Sequence, residues 1–184
     1  QLIGSGAGFF PMFNRNKKSL ALDLQTPEGL EAVLRLITTA DIVSENFKPG
    51  TMAKLGLDYA SLKAINPRIV YCSVTGFGQT GPYREHPGYD FMIQGMGGMM
   101  SVTGEPGGAP VKAGVPVVDF AAGLYAAFSI AALLVRVRSG GPGGQIDIPM
   151  FATTLAISAL QTSEYFGTGK NPQPLGSAHP RNAP

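Results

Sequence analysis

Ser19-Leu-Ala-Leu-Asp-Leu-Gln-Thr-Pro-Glu-Gly-Leu-Glu-Ala-Val-Leu-Arg-Leu-Ile37, with Asp41-Ile-Val-Ser-Glu45 and Arg68-Ile-Val-Tyr-Cys-Ser73 behind it, decides the fold. Ser19 to Leu24 alternates apolar residues and predicts a strand. Thr26-Pro27-Glu28 carries the marks of a helix start: a capping hydroxyl, Pro in the first helical position and an acid in the first turn. Leu30, Val33, Leu34 and Ile37 then fall on one helical face. Asp41 to Glu45 reads as a short strand, Thr51 to Leu55 as one helical turn, and Tyr59 to Ile65 as a short helix ended by Asn66-Pro67. Arg68 to Ser73 is the third strand. Strands alternating with helices at this spacing imply an α/β fold with a parallel sheet flanked by helices. Ligands of such sheets bind beyond the carboxyl ends of the strands, here Gln25-Thr26, Asn46-Phe47-Lys48 and Thr75-Gly76-Phe77.

Outward from this core the chain changes character. Gln1 to Phe13 is Gly-rich and aromatic and reads as a loop. Gly76 to Gly114 holds 11 glycines. Asp90 to Met100 is expected to be a helix despite three of them, which implies close packing or ligand contact there. Phe120 to Arg138 is a long helix stopped at Ser139-Gly-Gly-Pro-Gly-Gly144. Gln145 to Pro149 is a strand and Met150 to Phe166 a second apolar helix. Gly167 to Pro184 is rich in Pro and Asn and is expected to have nothing to pack against. The organisation implied is one domain over 1–166, part of a longer protein, with 167–184 starting a linker.

Hydrophobic residues make up 44% and charged residues 14% of the 184, a globular composition. A net charge of +2 gives no footprint for nucleic acid. The single cysteine, Cys72, excludes an intrachain disulfide and fits a reducing, cytoplasmic setting. The longest apolar run, Phe120 to Val135, falls short of the about 20 residues of a membrane span and reads as a packed core helix. His86 and His179 are far apart in sequence, and neither has Cys or carboxylates at metal-ligand spacing, so no metal is expected. No Ser lies in a Gly-x-Ser-x-Gly elbow, and Gly95-x-Gly97-Gly98 does not follow a strand as a dinucleotide fingerprint does.

Asp119 is the only charged side chain between Lys112 and Arg136. A lone carboxylate in an apolar stretch needs something to hold its charge. One reading makes it the N-cap of the helix that follows. The other makes it a nucleophile. Helix dipole and cap both keep it ionised, so physics permits either. Glu45-Asn-Phe-Lys-Pro-Gly50 follows a strand and offers an amide, an aromatic ring and a cation, with Lys54 one short turn on. It is either an ordinary loop or a seat for a nucleotide-bearing ligand. Asn14-Arg-Asn-Lys-Lys18, taken alone, is a solvated basic loop.

These segments also occur in a familiar order. Asn14 to Gly29, Glu45 to Gly50, Gly76-Phe-Gly-Gln-Thr-Gly-Pro82, Pro87-Gly-Tyr-Asp90 and Gly114-Val-Pro-Val-Val-Asp119 together resemble the class III CoA-transferases, the CaiB/BaiF family, over nearly the whole chain. The resemblance implies an incomplete Rossmann-like large domain, a coenzyme A thioester as substrate, a small carboxylic acid as acceptor and an interlocked homodimer. It implies Asp119 as nucleophile, forming an aspartyl–acyl anhydride and then an aspartyl-CoA thioester. It implies contacts to CoA from Leu24, Gln25, Asn46, Phe47, Lys48, Lys54, Gly88, Tyr89 and Asp90. Racemases of the same superfamily carry Gly-His-Asp where this chain has Gly88-Tyr89-Asp90. Tyrosine, with a reference pKa of about 10, is a poor base near neutral pH, which favours transfer over racemisation. A non-catalytic CoA-binding subunit is the third reading.

Overall fold

The computed structural model describes residues 2–3, 6–8 and 10–179. The chain runs β1 (Leu2–Ile3), β2 (Gly6–Ala7), α1 (Phe10–Asn14), α2 (Pro27–Ile37), β3 (Ile42–Glu45), α3 (Thr51–Lys54), α4 (Tyr59–Ile65) and β4 (Val70–Thr75). It continues with α5 (Asp90–Met96), a 3-10 turn (Met99–Val102), α6 (Val117–Arg138), β5 (Gly144–Pro149), α7 (Met150–Ile157) and α8 (Ala159–Thr168). Strands β3, β4 and β5 form a parallel sheet in that order, with Ile42 opposite Val70 and Val70 opposite Gly144.

The central strand is buried on both faces, as a parallel strand between helix layers must be. Its side chains alternate between two cores. Tyr71 joins Ile37, Leu57, Leu62 and Ile69, with Leu30, Val33 and Leu34 of α2 packed against them. Cys72 joins Ile93, Val118, Ala122, Ala126, Ile148 and Met150. Helices α2 and α4 therefore cover one face, and α5, α6 and α7 the other. The expected apolar face of α2 is the face in the first core. Its cap also forms as the sequence implies: Thr26 Oγ1 accepts from the Gly29 N–H at 3.2 Å, and Pro27 opens the helix.

Several expectations are corrected. Ser19 to Leu24 pairs with no strand. Asp23 takes the Gln25 N–H on its carboxylate at 2.9 Å and the Thr26 N–H on its carbonyl at 3.2 Å, which turns the chain into α2. Leu24 packs on the α2–α4 core while Leu20 is exposed, so the alternation does not mark a paired strand. Within Gln1 to Phe13 a short antiparallel pair and the start of α1 form where a loop was expected; residues 1, 4, 5 and 9 lie outside the described residues. The helix expected over Asp90 to Met100 breaks at Gly97-Gly98, where Gly98 takes φ +78°, the left-handed region. Close packing is met at Gly97, where a Cβ would lie 2.5 Å from Thr154 of α7. The helix expected over Met150 to Phe166 is interrupted at Ser158.

Two further corrections concern surfaces. The tail does find a partner: the Gly176 N–H donates to the Gly104 carbonyl at 2.9 Å. Its last residues, 180–184, lie outside the described residues. Helix α6 is a core helix on one side only. Its other side exposes Phe120, Leu124, Phe128 and Val135, and 22% of its most apolar window is buried. By length and composition alone α6 could cross a membrane, yet Val118, Ala122 and Ala126 seat it on the sheet.

Candidate functional site

The carboxyl ends of β3 and β4 lie side by side, with Glu45 opposite Ser73. Past that pair the ladder ends, and a side chain takes over: Asn46 Nδ2 donates to the Val74 carbonyl. The Glu45 carboxylate accepts the Phe47 N–H at 2.8 Å and turns the loop. Asn46, Phe47, Lys48 and Pro49 thereby come to line a cleft of about 370 Å³ together with Thr75, Gly76, His86, Pro87, Gly88 and Tyr89. Phe47 and Tyr89 present half or more of their surface to solvent, as rings available to a ligand would.

The two later segments of this lining meet backbone to backbone. A Cβ added to Gly76 would lie 2.6 Å from the Cα of Gly88. The loop after β4 is pinned from below as well. Thr75 Oγ1 accepts the Gly78 N–H at 3.0 Å, Asp147 Oδ2 the Gln79 N–H at 2.8 Å, and the Gly76 carbonyl the Phe151 N–H at 3.0 Å. His86 is packed beside the rings of Tyr83 and Phe77, at centroid distances of 5.2 and 6.5 Å.

Tyr89 lines the cleft, and the next residue points elsewhere. Asp90 Oδ1 accepts the N–H groups of Val118 at 2.8 Å and Asp119 at 3.3 Å. Its other oxygen accepts from Gln94 Nε2 at 2.5 Å. Gln94 is fully buried, and its Oε1 accepts the Ala113 N–H at 2.8 Å. A continuous set of bonds thus runs from Ala113 through Gln94 and Asp90 to the first turn of α6.

Asp119 is not the cap of α6. The helix begins at Val117 after Pro116, which has no side-chain acceptor, and Asp119 is its third residue. Its side chain is exposed. Partial burial, and then the negative charge of Asp90, push its carboxyl above the usual carboxylate range. The amino end of α6 still favours the ionised form. The result is an accessible carboxylate on a fixed turn, one backbone bond and one side chain from the cleft. A carboxylate so placed can attack an electrophilic carbonyl.

Asn46, Phe47, Lys48, Gly88 and Tyr89 are brought together in the cleft. Asp90 directs its oxygens to α6 and Gln94. Lys54 is exposed at the end of α3, outside the lining, and Leu24 and Gln25 also lie outside it. Among the described residues no group of three or more His, Cys, Asp and Glu gathers at one point. Sequence reasoning missed His86 and the role of Gln94. His86 directly precedes the Pro87 to Asp90 motif, a position that could have flagged it. Gln94 carries no local signal, being one polar residue in an apolar turn.

The model of CoA-transferase family III matches residues 2–184. The chain belongs to this family. A succinate–glutarate CoA-transferase of Agrobacterium fabrum is 48% identical over 178 residues, 97% of this chain and 44% of that protein. The human succinyl-CoA:glutarate CoA-transferase is 36% identical, over 96% of this chain and 40% of its own. A solved CaiB/BaiF family protein from Brucella suis superposes with a TM-score of 0.91 at 50% identity, covering 99% of this chain and 49% of that one. The chain therefore spans less than half the length of these family members.

Proposed function

We propose that the intact protein transfers coenzyme A from an acyl-CoA donor to a carboxylic acid acceptor, with short dicarboxylic acids as the acyl groups. The observation that carries this reading is the accessible Asp119 carboxylate, tied through Asp90 to a cleft that offers Lys48, Asn46 and two exposed rings. Lysine supplies charge for a phosphate, and the rings supply faces for a base. The dicarboxylate class is supported by the names of the relatives, which act between succinate, glutarate and their CoA esters.

In the reaction proposed, Asp119 attacks the thioester carbonyl, the C–S bond breaks, and an aspartyl–acyl anhydride and CoA thiolate form. The thiolate attacks the aspartyl carbonyl, giving an aspartyl-CoA thioester and free donor acid. The acceptor carboxylate attacks that thioester and again expels thiolate. The thiolate then takes the new acyl group and restores the Asp119 carboxylate. One side chain splits a difficult exchange into easier steps. An interlocked homodimer and a cytoplasmic setting belong to the same proposal; a second copy would cover the exposed face of α6.

The test is to incubate the intact protein with succinyl-CoA, glutarate and hydroxylamine and map adducts by peptide mass. A hydroxamate on Asp119, absent in Asp119→Asn, supports transfer. Exchange of the donor's 2-proton with solvent deuterium and no adduct would overturn it in favour of racemisation. Neither signal, with CoA still bound, would leave a binding subunit.

A further inference from the structure

The amino end of α6 is held by a residue from another element. Four N–H groups at a helix start lack partners within the helix. Pro116 offers no side-chain acceptor. Pro116 carries no N–H, and the Val117 N–H donates to the Val115 carbonyl at 2.8 Å; Asp90 satisfies the two that remain, those of Val118 and Asp119, from outside through one oxygen. Bonds to an ionised acceptor are stronger than neutral ones. Its second oxygen is held by a glutamine that is itself fully buried and bonded at both ends, to Asp90 and to Ala113. Three N–H donors on two oxygens leave Asp90 poorly placed to shuttle protons. They leave it well placed to fix distance.

What it fixes is the spacing between ligand and nucleophile. Tyr89 lines the cleft and Asp90 holds the Asp119 N–H, and the two are consecutive. A displacement of about 1 Å at a reacting group costs on the order of 100-fold in rate. We propose that Asp90, oriented by Gln94, is a positioning residue: it holds the first turn of α6 so that the Asp119 carboxylate meets a thioester carried in the Asn46–Tyr89 cleft. This rests on the reading of Asp119 as nucleophile.

The experiment compares the intact protein with Asp90→Ala, Asp90→Asn and Gln94→Leu variants by three measurements. The first is hydrogen exchange of the Val118 and Asp119 amides. The second is the single-turnover rate of Asp119 adduct formation from succinyl-CoA. The third is calorimetric binding of CoA itself. Asp90→Ala should speed exchange of those amides and slow adduct formation by about 100-fold, with the Kd for CoA little changed. Asp90→Asn keeps an acceptor, should fold where the alanine variant does not, and should recover part of the rate. Gln94→Leu should fall between them. Wild-type exchange and adduct rates in both Asp90 variants would overturn the proposal. So would loss of CoA binding in step with the adduct, which would make Asp90 a ligand contact. Should the unsubstituted protein form no adduct while its exchange still responds to Asp90→Ala, the nucleophile reading fails and the positioning role with it, and Asp90 is left as a structural cap. Should the adduct form at one rate in every variant, only the positioning role fails.

Discussion

Helix α2 is capped by the residue that precedes it, Thr26, whose hydroxyl accepts the Gly29 N–H. Helix α6 follows Pro116 and takes its cap from Asp90, 28 residues earlier than Val118. The first arrangement holds one helix. The second holds a helix in a set relation to another element, and here that element borders the cleft. A local cap stabilises; a remote cap also measures distance. The local device serves α2, and the remote one stands beside the Asp119 carboxylate.

The comparison is broken most severely by removing what α6 presents. Asp119→Asn leaves both caps intact and should lower transfer by about 1,000-fold or more, read as kcat with succinyl-CoA and glutarate. Gly76→Ala strikes the link between the cleft segments. Its methyl would meet the Gly88 backbone at 2.6 Å, and the loss should reach about 3 kcal/mol by urea unfolding. Asp90→Ala strips the remote cap and leaves the buried Gln94 amide short of an acceptor, for about 2 kcal/mol. Thr26→Ala strips the local cap for about 1 kcal/mol and should leave kcat unchanged. Equal losses of activity in these two cap variants would erase the distinction drawn between them.

The smallest expected effect is on pH. In the proposed reaction Asp119 attacks as a carboxylate, and burial and Asp90 raise its pKa, so transfer should fall as pH drops through a limb above the usual carboxylate range. Asp90→Asn removes a negative neighbour and should move that limb to lower pH. For folding the sign is opposite. A carboxyl with a raised folded-state pKa favours folding below its unfolded pKa and loses that contribution as pH rises through the folded value. Asp119→Asn should therefore unfold at a slightly higher temperature than the parent at neutral pH.

The same contrast explains what the sequence could convey. Thr26-Pro27-Glu28 is legible because donor and acceptor are three residues apart. The sequence points to a start of α6 at Phe120 and allows Asp119 as its cap, because the true acceptor, Asp90, arrives by tertiary contact. Ser19 to Leu24 alternates without pairing, since of its leucines Leu24 packs on the α2–α4 core and Leu20 faces solvent. The breaks at Gly97-Gly98 and Ser158 sit inside apolar runs whose period continues across them. Asn46 to Lys48 and Thr75-Gly76 were readable as strand ends, the places where parallel sheets bind ligands. Gln94 came into view only with the packing.

The meeting of Gly76 and Gly88 bears on anyone who would retool this cleft for a different ligand. With main chain against main chain, that stretch has no side chain to trim and no slack to move. New specificity has to be written at Phe47, His86 and Tyr89, whose side chains can be exchanged while the glycine contact stays as it is.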